Sequence, residues 1–447
     1  MGILRRSADA GRGARRGHDR GGRHCPCTDA EIGAPAAIRP ANDAGHFVEL
    51  FHDAEISAVD RDRHRTRELL LAADGGSILK ITKVETFQLA WDEAKKSRAA
   101  FVRIETEDGL FGLGEATPMQ NGLAALTVIA ADMAPYLVGK DALDHAVLVD
   151  TLFHRCVKLG PEGVLAGALA AVDIALWDLK GKLLGQPIYK LLGGAWRTEM
   201  TCYASVGGNA WRTVDQTVEV VMRRVEKEKP KAVKIRWDGD RTKHDVDIPG
   251  DIAKAKAVRQ ALGDDFILGF DANNGYSVGG AIRVGRALED LGYTWFEEPV
   301  QHYHVAAMGE VAQRLDITVS AGEQTYTLQG LKDLINAGVR MVQPDIIKMG
   351  GITGMMQCAA IAYAHGVDLV PHQTQPSLGH LANLHVLSTI MHLNKPVELA
   401  DGWERASSVF TNPSEPKDGL FHLPTTPGLG AEFNAEELKR RSIPITV

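Results

Sequence analysis

Three short apolar segments that each end in an acidic residue decide the fold: FILGFD (266–271), TWFE (294–297) and ITVSAGE (317–323). Their terminal acids, Asp271, Glu297 and Glu323, are separated by 26 residues in both intervals. That interval is the length of one strand, one loop and one helix, so each segment is interpreted as the next strand of a repeating unit. The repeat predicts an α/β domain with three carboxylates at the same edge of a parallel sheet.

The same pattern continues on both sides of this stretch. Five further β-rich segments occur in the second half of the chain: CYASVG (202–207), AVKIRW (232–237), MVQPDII (341–347), VDLVPH (367–372) and PVELA (396–400). Eight such segments at intervals of about 25 residues fit a (β/α)8 barrel of the TIM type. An open doubly wound sheet is the alternative. Charged or amide residues end nearly every segment, and this favours the barrel, because the carboxyl ends of barrel strands carry the active site.

A smaller domain precedes the barrel. Residues 78–117 alternate apolar and polar side chains in two runs, with Asp108 and Gly109 as a turn between them, which predicts an antiparallel hairpin or meander. Between residues 122 and 192, apolar residues recur at three- and four-residue intervals and predict helices. Strands followed by helices indicate an α+β capping domain over residues 78–195.

The first 77 residues differ from the rest in composition. They contain twelve arginines, no lysine and no hydrophobic periodicity, which predicts a disordered, non-essential extension. A basic arm that contacts nucleic acid or lipid is the less favoured alternative, because Asp9, Asp19 and Asp29 dilute the positive charge.

Composition excludes several classes of protein. The 447 residues are 45% hydrophobic and 24% charged with a net charge of −7, which argues against wholesale disorder and against a nucleic-acid partner. The five cysteines are too scattered for a disulfide framework, so we expect a reducing, cytoplasmic location. No uninterrupted apolar stretch reaches about 18 residues, and we expect no membrane span.

The three strand-end acids predict a metal centre. Asp271, Glu297 and Glu323 offer hard oxygen donors without histidine or cysteine, a set that suits Mg²⁺ better than Zn²⁺. The alternative is that these acids solvate loops or cap helices. It is disfavoured because three acids in register, with nothing to neutralise them, would repel strongly. Alternation along a strand lets only one of Glu297 and Glu298 point inward, and spacing alone does not say which.

The next two strands predict a base. Asp345 ends one segment and His372 ends the following one. A carboxylate on the strand beside a histidine fixes the imidazole tautomer and raises its basicity. Surface or packing roles are expected for histidines in loop or helix contexts: His302, His304, His365, His380, His385 and His392.

Cations and further polar side chains lie at the ends of the remaining strands. Lys234 and Arg236 lie two residues apart, so both side chains point to one face of their strand, toward the mouth of the barrel. There they can stabilise a bound carboxylate and its enolate, with Lys234 in a catalytic role. We expect Arg236, Asn273 and Glu398 to bind substrate.

These motifs together resemble a known family. The chain is similar to the mandelate racemase subgroup of the enolase superfamily in a set of motifs that occur in the family's order: the Lys-x-Lys-like pair 234–236, Asp271, EEP (297–299), GE (322–323), QPD with KMGGITG (343–354) and PH (371–372). The similarity covers about residues 78–447.

The resemblance implies a modified barrel over residues 196–401 and a capping domain that closes over the substrate. Residues 402–447 would return to pack on the cap. It also implies one Mg²⁺ on Asp271, Glu297 and Glu323, a base formed by Asp345 and His372, and a position for Lys348 in the strand and loop rather than as a second base.

One position departs from the family pattern. Family members with two lysines can use the second one to move a proton on the face opposite the histidine, whereas this chain has Arg236 there. Arginine is always protonated and is a poor base, so elimination is favoured over racemisation.

The sequence therefore predicts a Mg²⁺-dependent acid sugar dehydratase. It would remove the proton α to a carboxylate, pass through an enediolate, eliminate the β-hydroxyl and release a 2-keto-3-deoxy acid. The alternatives are a racemase or epimerase with Lys234 as second base, a cycloisomerase, and a non-catalytic metal-binding scaffold. We expect a homo-oligomer that acts on a small carboxylate, with specificity in loop 118–122 and at Gln324, Gln373 and Gln375.

Overall fold

An antiparallel sheet begins the described part of the chain. The computed structural model describes residues 79–91, 98–116, 122–373, 376–393, 395–403 and 408–443. The predicted extension (1–77), residue 375 and residues 118–121 lie outside these ranges. The strands that follow one another here are β1 (Ile81–Ala90), β2 (Arg98–Thr106) and β3 (Phe111–Glu115). Each pairs antiparallel with the next, as the alternating pattern predicted.

Helices cover this sheet. They are α1 (Leu123–Val128), α2 (Ala134–Leu137), α3 (His145–Cys156), α4 (Val164–Leu183) and α5 (Ile188–Leu191). Most residues of α4 are buried, because apolar side chains cover most of its surface. It packs on β3 so closely that Gly112 and Gly114 are required there. A Cβ atom on Gly114 would lie 1.9 Å from the carbonyl oxygen of Ala171.

Eight parallel strands form the second sheet. They are β4 (Glu199–Val206), β5 (Ala232–Arg236), β6 (Ile267–Asp271), β7 (Trp295–Glu297), β8 (Thr318–Ala321), β9 (Met341–Val342), β10 (Asp368–Leu369) and β11 (Val397–Leu399). Each of β4 to β9 pairs with the next strand in sequence, and β11 lies on the other side of β4. All eight predicted segments are strands. The last strand lies beside the first, so the sheet is curled as a barrel, and the open doubly wound alternative is wrong.

Helices alternate with these strands. They are α6 (Val214–Glu228), α7 (Ile248–Leu262), α8 (Val278–Asp290), α9 (Val305–Arg314), α10 (Leu328–Ala337), α11 (Gly351–His365) and α12 (Leu378–Ser388). Four of them begin at a polar residue whose side chain accepts a hydrogen bond from the backbone of the first turn: Thr213, Asp247, Ser277 and Thr327. These caps fix where each loop at the strand ends stops and its helix starts.

A polar seam lies between β10 and β11. Within the described ranges no strand ladder joins these two strands. The backbone N–H of Gln373 instead donates to Glu398 Oε2 at 2.9 Å, and Asn383 Nδ2 donates to Gln373 Oε1 at 2.8 Å. The seam therefore positions the residue that follows His372.

Buried acids join the first sheet and its helices to the barrel. Asp173 of α4 accepts hydrogen bonds from the backbone N–H and the hydroxyl of Thr353 at the start of α11. Glu115, at the end of β3, accepts from the backbone N–H of Gly379 at the start of α12. Both contacts lie beside the loops that follow β9 and β10, so the cap meets the barrel at the edge that carries Asp345 and His372.

The chain then adds β12 (Leu420–His422), α13 (Ala435–Arg441) and β13 (Ser442–Ile443). β12 pairs antiparallel with β4 of the barrel, and β13 pairs antiparallel with β1 of the cap. The C-terminal segment therefore contacts both sheets. Over the described ranges, we find no helix whose length and apolar content would let it span a bilayer.

Replacing Gly114 by alanine tests the contact between β3 and α4. We expect Gly114→Ala to lower the free energy of unfolding by about 3 kcal/mol, because its new methyl group meets backbone that cannot move aside. The control is Gly279→Ala in α8, where a Cβ meets nothing within 4 Å; it should leave stability unchanged or raise it by up to about 1 kcal/mol. Urea unfolding of both variants measures the difference. Equal urea midpoints for Gly114→Ala and Gly279→Ala would refute the close packing of β3 on α4.

Candidate active site

The register of the parallel strands brings the polar residues to one level. Arg236 pairs with Asp271 across β5 and β6, and Asp271 pairs with Glu297 across β6 and β7. Glu323 follows the end of β8 by two residues, and a bridge between Asp345 and His372 continues the sheet beyond β9 and β10. The carboxyl ends of the strands therefore form one polar surface.

Asp271, Glu297 and Glu323 lie together in the barrel mouth. One carboxylate oxygen from each lies within 4.8 Å of the others, and all three side chains are buried. Burial raises the pKa of Asp271, and the charge of Glu297 raises it further. Burial alone would raise the pKa of Glu323 too, but His372 and Lys348 lower it below its usual range. Three buried hard oxygen donors that repel one another fit a divalent cation such as Mg²⁺.

Lys234 lies among these acids, fully buried. Its Nζ is 2.7 Å from Glu297 Oε1, 3.2 Å from Glu398 Oε1 and 3.6 Å from Asp271 Oδ2. Burial alone would lower the pKa of Lys234, but Glu297 and Glu398 raise it well above its usual value. The long side chain of Lys234 reaches the acids from two residues before the strand end and offsets part of their charge.

Other contacts fix the orientation of the acids. Gln343 Nε2 donates to Glu297 Oε2 at 2.8 Å. The backbone N–H of Asn273 donates to Asp271 Oδ1 at 2.8 Å, and its Nδ2 donates to Asp271 Oδ2 at 3.1 Å. Asn273 Oδ1 accepts from the backbone N–H of Asp238. Asn273, expected to bind substrate, braces Asp271 here, and Gln343 is a contributor that spacing alone did not single out.

His372 and Asp345 are hydrogen-bonded. His372 Nδ1 lies 2.9 Å from Asp345 Oδ2, and Asp345 Oδ1 accepts from the backbone N–H of Ile347 at 3.0 Å. The other ring nitrogen, Nε2, lies 3.1 Å from Glu323 Oε2. Burial would lower the pKa of His372, but Glu323 and the hydrogen bond to Asp345 raise it to about 9. The imidazole thus connects Asp345 to the three-carboxylate group formed by Asp271, Glu297 and Glu323.

Lys348 connects the same two regions from behind. Its Nζ donates to the backbone carbonyl of Glu323 at 2.9 Å and lies 3.6 Å from Asp345 Oδ2. The side chain is buried, and its charge helps to offset those of Glu323 and Asp345. These contacts belong to the loop framework that the family resemblance implied for this lysine.

Arg236 lies at the rim with protein partners. Its Nε donates to Asp238 Oδ1 at 2.8 Å, its Nη1 donates to Ser205 Oγ at 3.0 Å, and its Nη2 is 3.6 Å from Asp401 Oδ2. Burial would lower the pKa of Arg236, but the hydrogen bond to Asp238 raises it above its usual value. The guanidinium is permanently charged and fixed beside the mouth.

Comparison with known proteins gives the family. Residues 78–193 match the mandelate racemase / muconate lactonizing enzyme N-terminal domain, and residues 216–438 match the enolase C-terminal domain-like family. The chain belongs to the mandelate racemase/muconate lactonizing enzyme family of the enolase superfamily. The resemblance inferred from the motifs is confirmed, and so is the predicted fold class.

The curated relatives of the chain include cycloisomerases and dehydratases. The chain is 31% identical over 389 residues to the D-galactarolactone cycloisomerase of Agrobacterium fabrum, covering 82% of this chain and all of that protein. It is 31% identical over 335 residues to the arabinonate dehydratase of Saccharolobus solfataricus, covering 73% of this chain and 86% of the other.

A solved structure is more similar in sequence. The mandelate racemase/muconate lactonizing protein from Paracoccus denitrificans PD1222, complexed with magnesium, is 71% identical to this chain. It matches with a TM-score of 0.80 over 82% of this chain and 99% of that one.

Removing one carboxylate tests the metal centre. Saturating Mg²⁺ should raise the melting temperature of the wild-type protein, and Asp271→Asn should lose this increase, because it removes one anionic ligand. In EDTA the variant should be at least as stable as the wild type, since a buried like charge is gone. Differential scanning calorimetry measures both effects, with the surface variant Asp290→Asn as control. A wild-type response to Mg²⁺ in Asp271→Asn would rule out this ligand.

Proposed function

We propose that this enzyme is a Mg²⁺-dependent sugar-acid dehydratase. The observation that carries the proposal is the contact of one histidine with both an orienting acid and the three-carboxylate group: Asp345 at Nδ1 and Glu323 at Nε2. Asp271, Glu297 and Glu323 would hold the Mg²⁺. When bound, the cation supplies positive charge to a substrate carboxylate and to the negative charge that develops on it.

His372 acts as the base in this proposal. Asp345 accepts a hydrogen bond from Nδ1–H, so once the imidazole gives up its ion pair with Glu323 and is neutral, its lone pair is on Nε2. Nε2 removes the proton α to the substrate carboxylate. The protonated imidazole then returns that proton to the hydroxyl on the β-carbon. The C–H and C–O bonds break, water leaves, and the enol that remains becomes a 2-keto-3-deoxy acid.

The two cations of β5 favour elimination over racemisation. Racemisation needs a second group that can exchange a proton on the opposite face of the substrate. Lys234 is fully buried and held by three carboxylates, and Arg236 stays protonated beside Asp238. Within the described residues, neither is suited to be a second base. Lys234 instead offers fixed positive charge, and Glu398 fixes Lys234.

A cycloisomerase is the second candidate. The full-length match to a D-galactarolactone cycloisomerase supports it. The same residues would serve, with a ring oxygen as leaving group in place of a hydroxyl. The racemase has less support, because neither Lys234 nor Arg236 is suited to be a second base. The non-catalytic scaffold has less support, because it would give the His372–Asp345 pair no role.

A substrate screen followed by two variants tests the function. Acid sugars and their lactones are assayed for 2-keto acid formation with Mg²⁺. On the substrate identified, His372→Asn should lower both turnover and solvent deuterium exchange at the α-carbon by about 10²–10⁴-fold. His365→Asn, an exposed histidine at the end of α11, is the matched control and should behave as wild type. If His372→Asn exchanges normally and Lys234→Ala does not, the base is the lysine.

A further inference from the structure

Unusual backbone conformations are concentrated around the three-carboxylate group. The described chain has seven non-glycine residues with positive φ. Five of them lie in the loops after β5, β6 and β7: Asp238, Asp245, Asn273, Asn274 and Glu298. Asparagine and aspartate tolerate this conformation, but glutamate rarely adopts it. Glu298, with φ of 36°, directly follows Glu297, so the surrounding contacts must maintain a strained turn at that point.

Asn274 supplies those contacts. Its backbone N–H donates to the carbonyl oxygen of Glu298 at 2.8 Å, and its Nδ2 donates to Glu298 Oε2 at 2.7 Å. Its Oδ1 accepts from the backbone N–H of His302 at 2.6 Å. One buried asparagine therefore fixes the backbone and the side chain of Glu298 together with the loop beyond it.

The second oxygen of Glu298 has no such contact. Glu298 is 1% exposed, and in the described part of the chain its Oε1 is buried without a hydrogen-bond partner. The carboxyl interacts electrostatically with Glu323, Asp271 and Glu297, which are the three proposed ligands. A buried acid with an unused acceptor and three anionic neighbours needs a positive charge or a hydrogen-bond donor nearby.

We propose that Glu298 is an outer-sphere acid of the cation site, held in position by Asn274. Glu298 is not among the three side chains whose oxygens lie within 4.8 Å of one another, so it acts from outside the ligand set. Its unused oxygen, Oε1, would accept a hydrogen bond from a water that the cation brings. The strained turn keeps Glu297 and Glu298 in fixed orientations before the cation binds. This inference rests on the metal centre of the proposed function but not on the identity of its substrate.

Calorimetric titration of EDTA-treated protein with MgCl2 tests the inference without an activity assay. Glu298→Gln keeps the shape of the side chain and an oxygen for Asn274, but removes the acidic group. Asn274→Gly accepts positive φ and leaves Glu298 in place without its side-chain clamp. Each variant should raise the Kd for Mg²⁺ by at least about 10-fold, the lower end of the usual effect of outer-shell groups. The control is Asn412→Gly, which removes similar hydrogen bonds to Gly430 and Glu432 in the C-terminal segment.

The outcomes separate this inference from the proposed function. A Kd within 2-fold of wild type in Glu298→Gln overturns the outer-sphere role. If that variant does not fold, a similarly unchanged Kd in Asn274→Gly overturns it instead. Asn412→Gly should bind Mg²⁺ with the wild-type Kd. If its Kd rises as much as in the Glu298 and Asn274 variants, general destabilisation explains the weaker binding, and the proposal is overturned. Failure of the wild-type protein to bind Mg²⁺ would contradict the metal centre itself.

Discussion

The burial of negative charge at one end of the barrel is the constraint on which the site depends. Six acidic side chains are buried there: Asp271, Glu297, Glu298, Glu323, Asp345 and Glu398. Two like charges 4 Å apart repel by about 4 kcal/mol at an effective dielectric constant of about 20. Lys234 and Lys348 offset part of this repulsion from below and behind. The remaining imbalance favours a divalent cation, and it also explains why so many hydrogen bonds are used to fix these carboxylates.

The barrel makes this concentration of charge possible. Parallel strands in sequential order carry their last residues to the same level, and the loops beyond them need no regular pairing. Polar contacts between loops replace the ladder there, as in Gln373 with Glu398 and Asn273 with Asp238. The cap meets the barrel through Asp173 and its contact with α11, close to the proposed base. The positions of the acids and of the proposed base thus depend on where the barrel strands end.

Much of this arrangement follows from local sequence. Strand ends at intervals of 26 residues predicted that Asp271, Glu297 and Glu323 would converge, and a neighbouring strand end predicted that Asp345 would contact His372. Alternation did not distinguish Glu297 from Glu298, because the left-handed turn at Glu298 leaves both side chains buried.

Other features depend on contacts between distant parts of the chain. The partners of Lys234 come from three different strands, and the clamp at Asn274 depends on how two loops meet. The packing of β3 on α4, and the pairing of β12 with β4, likewise depend on tertiary contacts that periodicity does not encode.

The most direct test of the account is the fate of hydrogen when the wild-type enzyme turns over its sugar acid in D2O. With one histidine as base and no second base on the opposite face, NMR should detect a 2-keto acid that carries one deuterium at C3. Recovered substrate should keep its configuration at C2. Recovered substrate that is inverted at C2 and deuterated there would contradict the account, because it requires a proton donor on the face where Lys234 and Arg236 lie.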